Sequence, residues 1–410
     1  MDFRITEEQK GLVALVRDFG KREITPELVK DVFSRPAVDR LPYIKQQGLL
    51  KKIYDIGLRT LTVPQKYGGA AVDVLTQVLV AEALGRFGWF AGHLIVPNWK
   101  VVQDLAAFGS EELQDEICTR LMTDPTFFLG EVATEPEHGC DPVLPHDEPG
   151  SGLKTFAYRD GDKYVINGEK CFTCSAQTDI LGTYVRTNRD KPLSQSMSLI
   201  LVPTNTPGFS CERVNEFLHD VLRPNGDPIY DNVRVPARYL VGKENEAHPI
   251  FEGRRAFWLP VLAILLGATE TIYEVTKEYA KTRIQGGQPI FYHPTIGTRI
   301  VEMYSKIEDL KLKIYKTAWE IDQAIQTGRK LVSSLGFNLC NAAVHDVMEL
   351  VAGHAAEVWG GRAALKGLPI EAYIRVVWGN HHGFGTSTFN RIKCMSLLEE
   401  IPVFGPATVS

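Results

Sequence analysis

The sequence has little of what marks nucleic-acid-binding and membrane proteins. Its 410 residues carry 45 Lys and Arg against 50 Asp and Glu, a formal charge of −5, and the basic residues form no cluster. Nucleic-acid binding therefore has little electrostatic support. The longest apolar run, residues 256–268, contains Pro260 and falls short of the roughly 20 residues that span a bilayer. We expect a buried helix there and no membrane insertion.

Cysteine is also sparse. The seven cysteines are scattered and odd in number, which suits a reducing compartment better than a disulfide framework. Cys171 and Cys174 form a C-x-x-C pair, but a zinc site needs a second pair and a thioredoxin-type site needs a helix N-terminus. We therefore predict no metal site. Residues 1–4 lead directly into a polar amphipathic segment, so we expect no signal peptide and a cytoplasmic location.

Three composition regimes divide the chain, which is long enough for two or three domains. Apolar stripes at helical spacing predict an N-terminal α-helical domain over residues 1–124. Short β-rich stretches separated by Gly, Pro, Asn and Asp predict a β-barrel-like middle domain over 125–243. Long helices return in 244–410 and predict a C-terminal four-helix bundle. The predicted fold class is thus α+β, mainly α.

Two regions give the sharpest structural predictions. In the middle domain, residues 163–172 predict two strands joined by a turn at Asn167 and Gly168. In the C-terminal bundle, a helix over 336–359 should end at Gly360 and Gly361. The helix before it places seven apolar side chains on one face, which predicts an extensive buried seam. That face consists of Ile300, Tyr304, Ile307, Leu310, Ile314, Ile321 and Ile325.

Two motifs resemble those of the acyl-CoA dehydrogenase family. Residues 134–141 run Thr-Glu-Pro-Glu-His-Gly-Cys-Asp, and Arg375 is followed at the family's spacing by Gly-Thr-Ser at 385–387. The order of the predicted domains matches as well, so the resemblance covers essentially the whole chain. It implies bound FAD, an acyl-CoA or related thioester as substrate and an electron-transfer partner. It also implies a homo-oligomer, with a tetramer expected.

The resemblance assigns several residues to the cofactor. Thr134 should hydrogen-bond the flavin, because its hydroxyl and N–H suit a carbonyl or an anionic ring nitrogen. Phe172 should lie against the isoalloxazine, and Cys174 replaces a hydroxyl that the family places near flavin N5. Arg283 should clamp the pyrophosphate of a neighbouring subunit's FAD. The full set is Thr134, Cys140, Phe172, Cys174, Arg283, Gly360, Gly361 and Thr386. From the residues alone, a loop, a packed barrel core and a helix stop remain alternatives for parts of this set.

The base position departs from the family pattern. In the family, a Glu just before the Gly-Thr-Ser removes the substrate α-proton, but this chain has Phe384 there, and a phenyl ring cannot accept a proton. Some members place the base on the helix before Arg283, where this chain has Phe257 followed by Trp258. Aromatic residues at both positions predict a flat, apolar pocket for a bulky, cyclic or aromatic acyl group.

Three reaction classes stay open, beside a flavin-binding interaction protein whose site has decayed. In the first, a dehydrogenase uses another base, for which His382 and His93 are the candidates. In the second, loss of carboxylate or sulfinate forms the carbanion without a base, and an arginine anchors the leaving group. The arginines considered are Arg223, Arg254, Arg255 and Arg362. In the third, the chain is a flavin monooxygenase of the same fold. The favoured prediction is an FAD-dependent oxidoreductase acting on CH–CH groups.

Overall fold

Helices occupy the two ends of the chain, and strands occupy its middle. The computed structural model describes residues 4–139, 151–173, 177–211, 213–219, 222, 225–328 and 334–398. The first helices are α1 (Glu7–Glu23), α2 (Pro26–Phe33), α3 (Ala37–Gln46), α4 (Leu49–Asp55), α5 (Val74–Gly85), α6 (Trp89–Gly92), α7 (Val96–Phe108) and α8 (Glu111–Thr123). The strands that follow are β1 (Leu129–Val132), β2 (Phe156–Asp160), β3 (Lys163–Glu169), β4 (Ile180–Arg186), β5 (Met197–Pro203), β6 (Phe209–Ser210), β7 (Val214–Asn215), β8 (Asn225–Gly226), β9 (Ile229–Pro236) and β10 (Leu240–Val241). The last elements are α9 (His248–Gly253), α10 (Leu259–Thr282), β11 (Ile284–Gln285), β12 (Gln288–Pro289), α11 (Pro294–Thr327), α12 (Leu335–Trp359), α13 (Pro369–Asn380) and α14 (Ser387–Leu398).

This order of elements confirms the predicted fold class, α+β and mainly α. The domain boundaries themselves stay predictions. The N-terminal helices and the C-terminal bundle share one apolar core, which runs from Val16 in α1 to Val377 in α13. A second core joins the sheet to α7 and α8. The functional cavity described below lies where these two cores meet.

Helix α5 is tied to the C-terminal bundle at its first turn. Asp73 caps the helix by accepting from the backbone N–H of Thr76 at 2.8 Å, as a short polar side chain before a helix commonly does. Asp322 of α11 accepts from the N–H groups of Val74 and Leu75 at 2.7 and 2.9 Å. These bonds satisfy N–H groups that have no partner within the helix. The N-terminal helices therefore hold a fixed position on the bundle.

The register of the sheet brings distant residues together at the cavity. Its described strands follow the order β10-β5-β4-β2-β3-β9-β6, and β1 pairs with β4 in parallel. Glu131 of β1 lies opposite Gly182 of β4. A Cβ at Gly182 would lie 3.3 Å from the Glu131 Cγ, so the glycine leaves room for the carboxylate. Because side chains alternate along a strand, Tyr184 lies on the same face, one step further.

The predicted turn at Asn167 and Gly168 is wrong. Strand β3 continues through both residues, and its pairing with β9 shifts register there, which is a β-bulge that absorbs one extra residue. The Asn167 side chain accepts from the N–H of Asn232 at 2.9 Å and so replaces a ladder bond. The hairpin instead turns between Asp160 and Lys163, where Gly161 takes a φ of +63° that glycine adopts cheaply.

Most of the predicted face of α11 is buried, with two exceptions. Tyr304 and Ile325 are exposed, whereas the other five residues of that face are buried. Tyr304 lies at the edge of the seam, with its ring 5.8 Å from that of Tyr273, and Ile325 lies in the last turn of the helix. The next helix, α12, ends at Gly360 as predicted.

One helix of the bundle is long and apolar enough to cross a membrane by length and composition alone. It covers Arg255–Thr282, and 78% of its most apolar window is buried inside the protein. This burial confirms the buried helix that the sequence predicted for residues 256–268.

Candidate active site

A cavity of about 650 Å³ lies between the β-domain and the C-terminal bundle. Its walls include many of the residues that the sequence singled out. Thr134, Phe172 and His93 line it from the N-terminal two thirds of the chain, while His382 and Phe384 line it from the C-terminal region. The structure therefore brings together the two ends of the predicted site.

Phe384 occupies a turn whose backbone is held from three sides. Its φ is +58°, a left-handed conformation that is costly for a bulky residue and persists only where the surroundings impose it. The Phe384 carbonyl accepts from the guanidinium of Arg255 and from the amide groups of Asn341 and Asn390. Asn341 and Asn390 also donate to the carbonyl of Gly385, at 3.2 and 2.8 Å. Backbone contacts thus fix the direction of the side chain at position 384.

Aromatic rings surround the Phe384 side chain. Its centroid lies 5.2 Å from that of Trp258 and 6.0 Å from that of Phe337. Phe257, at the second known base position, is buried under the guanidinium of Arg254, 3.7 Å from its ring centroid. It is not among the described residues that line the cavity, whereas Trp258 is. The predicted aromatic wall is therefore formed by Phe384 and Trp258.

The loop that carries Thr134 is anchored from below by a buried ion pair. Lys170 has no exposed surface, and its Nζ lies 2.8 Å from an oxygen of Glu135. The same ammonium donates to the Ala133 carbonyl at 3.0 Å. Glu135 also accepts from the backbone N–H groups of Lys154 and Thr155. These charge-assisted bonds lower the pKa of Glu135, whereas burial lowers the pKa of Lys170 to about 8.

Phe172 faces the cavity in a strained conformation. Its φ is +53° and its residue is 62% exposed, which is unusual for a phenylalanine beside a packed sheet. The Phe172 N–H donates to Asp227 at 3.1 Å, and the neighbouring Cys171 N–H donates to the Thr134 carbonyl at 2.9 Å. The segment 171–173 and the Thr134 loop are therefore one unit that presents an aromatic ring to the cavity.

Several buried polar atoms of the cavity wall have no hydrogen-bond partner among the described residues. Such atoms are rare in folded proteins, because an unpaired buried donor or acceptor costs about 1–3 kcal/mol. They are Trp89 Nε1, Thr173 Oγ1, Tyr184 Oη, His219 Nδ1 and Asn341 Oδ1. A polar ligand would satisfy them, and Thr173 lies next to Phe172, on the side where the sequence predicts the flavin.

Four histidines among the described residues line the cavity: His93, His138, His219 and His382. His93 is buried, with its ring 4.3 Å from Trp89 in an edge-to-face contact. His219 is also buried, with its ring 6.4 Å from that of Trp89, and burial with smaller effects of His382 and Arg375 lowers its pKa to about 4. His382 is exposed at the mouth, and partial desolvation, with a smaller effect of His381, lowers its pKa. A lowered pKa leaves an imidazole neutral and able to accept a proton at neutral pH.

One end of the cavity departs from the predicted flat, apolar pocket, because it carries buried charges. Lys100 of α7 and Glu131 of β1 line it, and the Lys100 Nζ lies 3.3 Å from both carboxylate oxygens of Glu131. Behind them, Asp104 pairs with Lys100 and, at 2.7 Å, with Arg254. In a pattern of apolar residues at helix or strand spacing, an isolated Lys or Glu only interrupts the pattern, so the sequence did not single out Lys100 or Glu131. The one available signal was that each lies within a mostly apolar stretch of the sequence.

The remaining predicted cofactor residues lie elsewhere. Thr386 is exposed and caps α14 by accepting from the Phe389 N–H at 3.2 Å. Arg283 and Gly360 follow the last turns of α10 and α12, and these turns meet where the rings of Tyr279 and Trp359 stack 4.2 Å apart. These positions and that of Gly361 are separate from the cavity lining. Cys140 and Cys174 lie outside the described residues.

The arginines considered for a leaving-group anchor are mostly engaged. Arg255 lines the cavity but donates to the Phe384 carbonyl and to Asn390. Arg254 pairs with Asp104, and Arg362 lies 6.0 Å from the Tyr279 ring, away from the cavity. Arg223 lies outside the described residues. Within the described ranges, no group of three His, Cys, Asp or Glu side chains is placed to hold a metal ion.

Comparison with known proteins places this cavity in a known enzyme scaffold. The chain matches the acyl-CoA dehydrogenase N-terminal domain over residues 6–124, the middle domain over 130–220 and the C-terminal domain over 259–395. It is 28% identical to an acyl-CoA dehydrogenase of Bacillus subtilis (strain 168), over 90% of this chain and 92% of that protein. It is also 28% identical to cyclohex-1-ene-1-carbonyl-CoA dehydrogenase of Geobacter metallireducens, with the same coverage of 90% and 92%.

A solved structure shows the same fold. Butyryl-CoA dehydrogenase from Megasphaera elsdenii superimposes with a TM-score of 0.83 at 21% identity, over 98% of this chain and all (100%) of that one. The three matched domains together span most of the sequence, in the order that the fold requires. The chain therefore belongs to the acyl-CoA dehydrogenase family of flavoprotein oxidoreductases.

Proposed function

We propose that the protein binds FAD in the cavity and oxidises a bulky, cyclic or aromatic acyl thioester at its α and β carbons. The proposal rests on one main observation: Thr134, Phe172 and Phe384 all line the same cavity. The unpaired polar atoms of that wall add support, because a flavin and a thioester both offer hydrogen-bonding edges. The relative that acts on a cyclic acyl-CoA supports the bulky substrate.

The residues of this chain have distinct roles in the proposal. Thr134 and Thr173 would hydrogen-bond the flavin edge, and Phe172 would cover its ring. When bound, FAD supplies the acceptor for the hydride that leaves the substrate β-carbon. Phe384 and Trp258 confine the acyl group from the opposite side and exclude water from it.

The α-proton needs an acceptor other than residue 384. We assign this role to an imidazole nitrogen of His382, which lies two residues from the family's base position and lines the same cavity. Its lowered pKa keeps the ring neutral at neutral pH. His93, the other predicted candidate, is buried against Trp89 and is better placed to position substrate.

The purified protein should be yellow and should release FAD on heat denaturation. Thr134 and Phe172, which are predicted to face the flavin, line the cavity. Several buried polar atoms of its wall have no hydrogen-bond partner among the described residues, and a bound cofactor would supply one. Absorbance spectra and chromatography of the released cofactor provide the measurement. A colourless protein whose addition leaves FAD fluorescence unquenched would remove the basis of the proposed function.

Replacing His382 by Gln should slow flavin reduction by cyclohexanecarbonyl-CoA about 100-fold, the lower scale for loss of a general base. The measurement is anaerobic stopped-flow bleaching of the flavin. His381→Gln is the matched control, because this neighbouring histidine pairs with Glu349 at 2.9 Å and lies outside the cavity lining. It should keep the maximal rate.

The His381→Gln control should also change the pH dependence of the rate of flavin reduction. A base must be deprotonated, so the rate should rise with pH through the pKa of His382. His381 contributes to lowering that pKa, so His381→Gln should move the rise to higher pH. Equal rates in both variants would exclude His382 as the base.

Two other outcomes would favour the alternative reaction classes. Flavin reduction only by substrates with a β-carboxylate or sulfinate would favour the base-free reaction. A requirement for NAD(P)H and O₂ would favour the monooxygenase.

We further propose a cytoplasmic homotetramer that passes electrons to a partner protein. Arg283, Gly360 and Gly361 lie away from this chain's own cavity, at one end of the bundle. That placement suits residues that serve the cofactor of a neighbouring subunit. Sedimentation of the flavin-bound protein tests the oligomeric state.

A further inference from the structure

Three elements of the fold each contribute one polar side chain to the charged end of the cavity. Lys100 comes from α7, Glu131 from β1 and Tyr184 from β4, and all three line the cavity. Tyr184 is 1% exposed, and its hydroxyl has no partner among the described residues. Burying a charged pair costs several kcal/mol per ion, and a polar ligand bound at this end would offset that cost.

The groups that face the cavity are hydrogen-bond donors. A lysine ammonium has three N–H bonds, and those of Lys100 are directed to one oxygen of Asp104 and, at 3.3 Å, to both oxygens of Glu131. A ligand oxygen would therefore replace one of the two long contacts to Glu131. Burial, with the negative charges of Glu131 and Asp104, raises the pKa of Tyr184 well above its usual value. The phenol therefore stays protonated and acts as a donor. A ligand group that complements this end must accept hydrogen bonds.

The net charge of the buried side chains at this end of the cavity also favours an anionic ligand group. Burial raises the pKa of Glu131 to about 7, and Asp104 opposes the lowering effect of Lys100. When Glu131 is protonated, Lys100 and Arg254 face the single charge of Asp104, so the cluster has one excess positive charge. One anionic group of a ligand would neutralise it. The neighbouring Phe251 and Trp258 carry no charge, and the Lys100 Nζ lies 5.7 Å from the Trp258 ring.

The geometry points to a subsite formed by Lys100, Glu131 and Tyr184 that binds a carboxylate at the far end of the acyl group. This inference rests on the proposed function and narrows its substrate to monothioesters of dicarboxylic acids. Tyr184 and Lys100 each donate one hydrogen bond to the carboxylate, and protonated Glu131 donates a third. The aromatic wall of Phe384 and Trp258 then confines the middle of the acyl group.

Calorimetric titration of the flavin-containing protein tests this subsite with matched thioester pairs. Succinyl-, adipoyl- and suberoyl-CoA are compared with butyryl-, hexanoyl- and octanoyl-CoA. We expect at least one dicarboxylic member to bind about tenfold tighter than its unsubstituted partner. Tyr184→Phe should cost that ligand about tenfold, the size of one hydrogen bond to a charged group, and should leave the unsubstituted partner unchanged.

Tyr184→Phe should fold normally, because its hydroxyl bonds to no described residue. Tyr230→Phe is the matched control, since Tyr230 is equally buried in the sheet, its hydroxyl lies 2.9 Å from that of Thr183, and it does not line the cavity. It should leave the affinity of both thioesters unchanged. A second readout is proton uptake: an anion beside Glu131 favours its protonated form, so binding near pH 8 should take up a proton. Glu131→Gln should abolish that uptake, which calorimetry in two buffers of different ionisation enthalpy detects.

The outcomes separate this inference from the proposed function. Unsubstituted thioesters that bind as tightly as the dicarboxylic ones would overturn the carboxylate subsite and leave the proposed function standing. Equal affinity for adipoyl- and ω-hydroxyhexanoyl-CoA would overturn the role of charge. A flavin-containing protein that binds no thioester would overturn both proposals.

Discussion

Replacing Phe384 by Glu should create α,β-dehydrogenation of simple saturated acyl-CoAs. The turn at this position is held by bonds to backbone carbonyls from Arg255, Asn341 and Asn390, so a new side chain inherits the direction of the old one. The phenylalanine already bears a φ of +58°, and glutamate meets the same backbone cost. A correctly placed general base accelerates proton transfer by about 100-fold or more. We therefore expect at least that gain in the rate of flavin reduction by butyryl- or octanoyl-CoA.

The pH dependence of this gain follows from the surroundings of residue 384. The rings of Trp258 and Phe337 next to residue 384 carry no charge, and burial of a carboxylate beside them raises the pKa of a glutamate. Only the ionised form accepts a proton, so the rate of the variant should rise with pH and reach its plateau above neutrality. Stopped-flow reduction over a range of pH values measures this profile.

Phe384→Gln is the matched control for that experiment. Glutamine has the shape of glutamate and the same backbone demands, but it cannot take the α-proton. If Glu and Gln variants reduce the flavin equally fast, a gain in rate reflects a wider pocket and not a base. If neither variant gains activity although the thioester binds, then the substrate α-carbon does not lie beneath residue 384.

Sequence patterns were sufficient for the architecture because periodicity is a local property. Stripes such as the one on α11 and the glycine stop after α12 depend on neighbours within a few turns. Tyr304 shows where this reasoning ends: it has the right spacing, but it lies at the edge of the seam and stays exposed. The bulge at Asn167 shows the same limit, since only the partner strand β9 decides whether an Asn-Gly pair turns or continues.

The charged end of the cavity was beyond the reach of sequence patterns for a similar reason. Glu131 and Tyr184 meet because β1 pairs with β4 in one register, and Gly182 leaves space between them. Lys100 reaches them from a helix 31 residues away from Glu131 along the chain. Each residue alone is an exception to an apolar pattern. Their chemistry exists only after the strands and the helix have assembled.

Replacing Lys170 by Met should destabilise the β-domain more than any surface change. Lys170 is fully buried and pairs with Glu135, which is 4% exposed. Its loss leaves a buried carboxylate without its cation, which typically costs about 3–5 kcal/mol of the free energy of unfolding. Glu135 keeps its bonds from the Lys154 and Thr155 N–H groups, so we expect about 3 kcal/mol. Urea unfolding followed by circular dichroism measures the loss.

Arg234→Met is the control for removal of a cation from the same sheet. Arg234 pairs with Asp160 at 2.7 Å, but both side chains are about half exposed, and water replaces such a partner readily. The control should unfold at the urea concentration of the native protein. A Lys170→Met variant as stable as this control would show that the buried pair adds nothing to the fold. Removing both charges, in Glu135→Gln with Lys170→Met, should restore part of the loss, because no buried charge is then left unpaired. Since Glu135 directly follows Thr134, the single variant should also hold less FAD than the control.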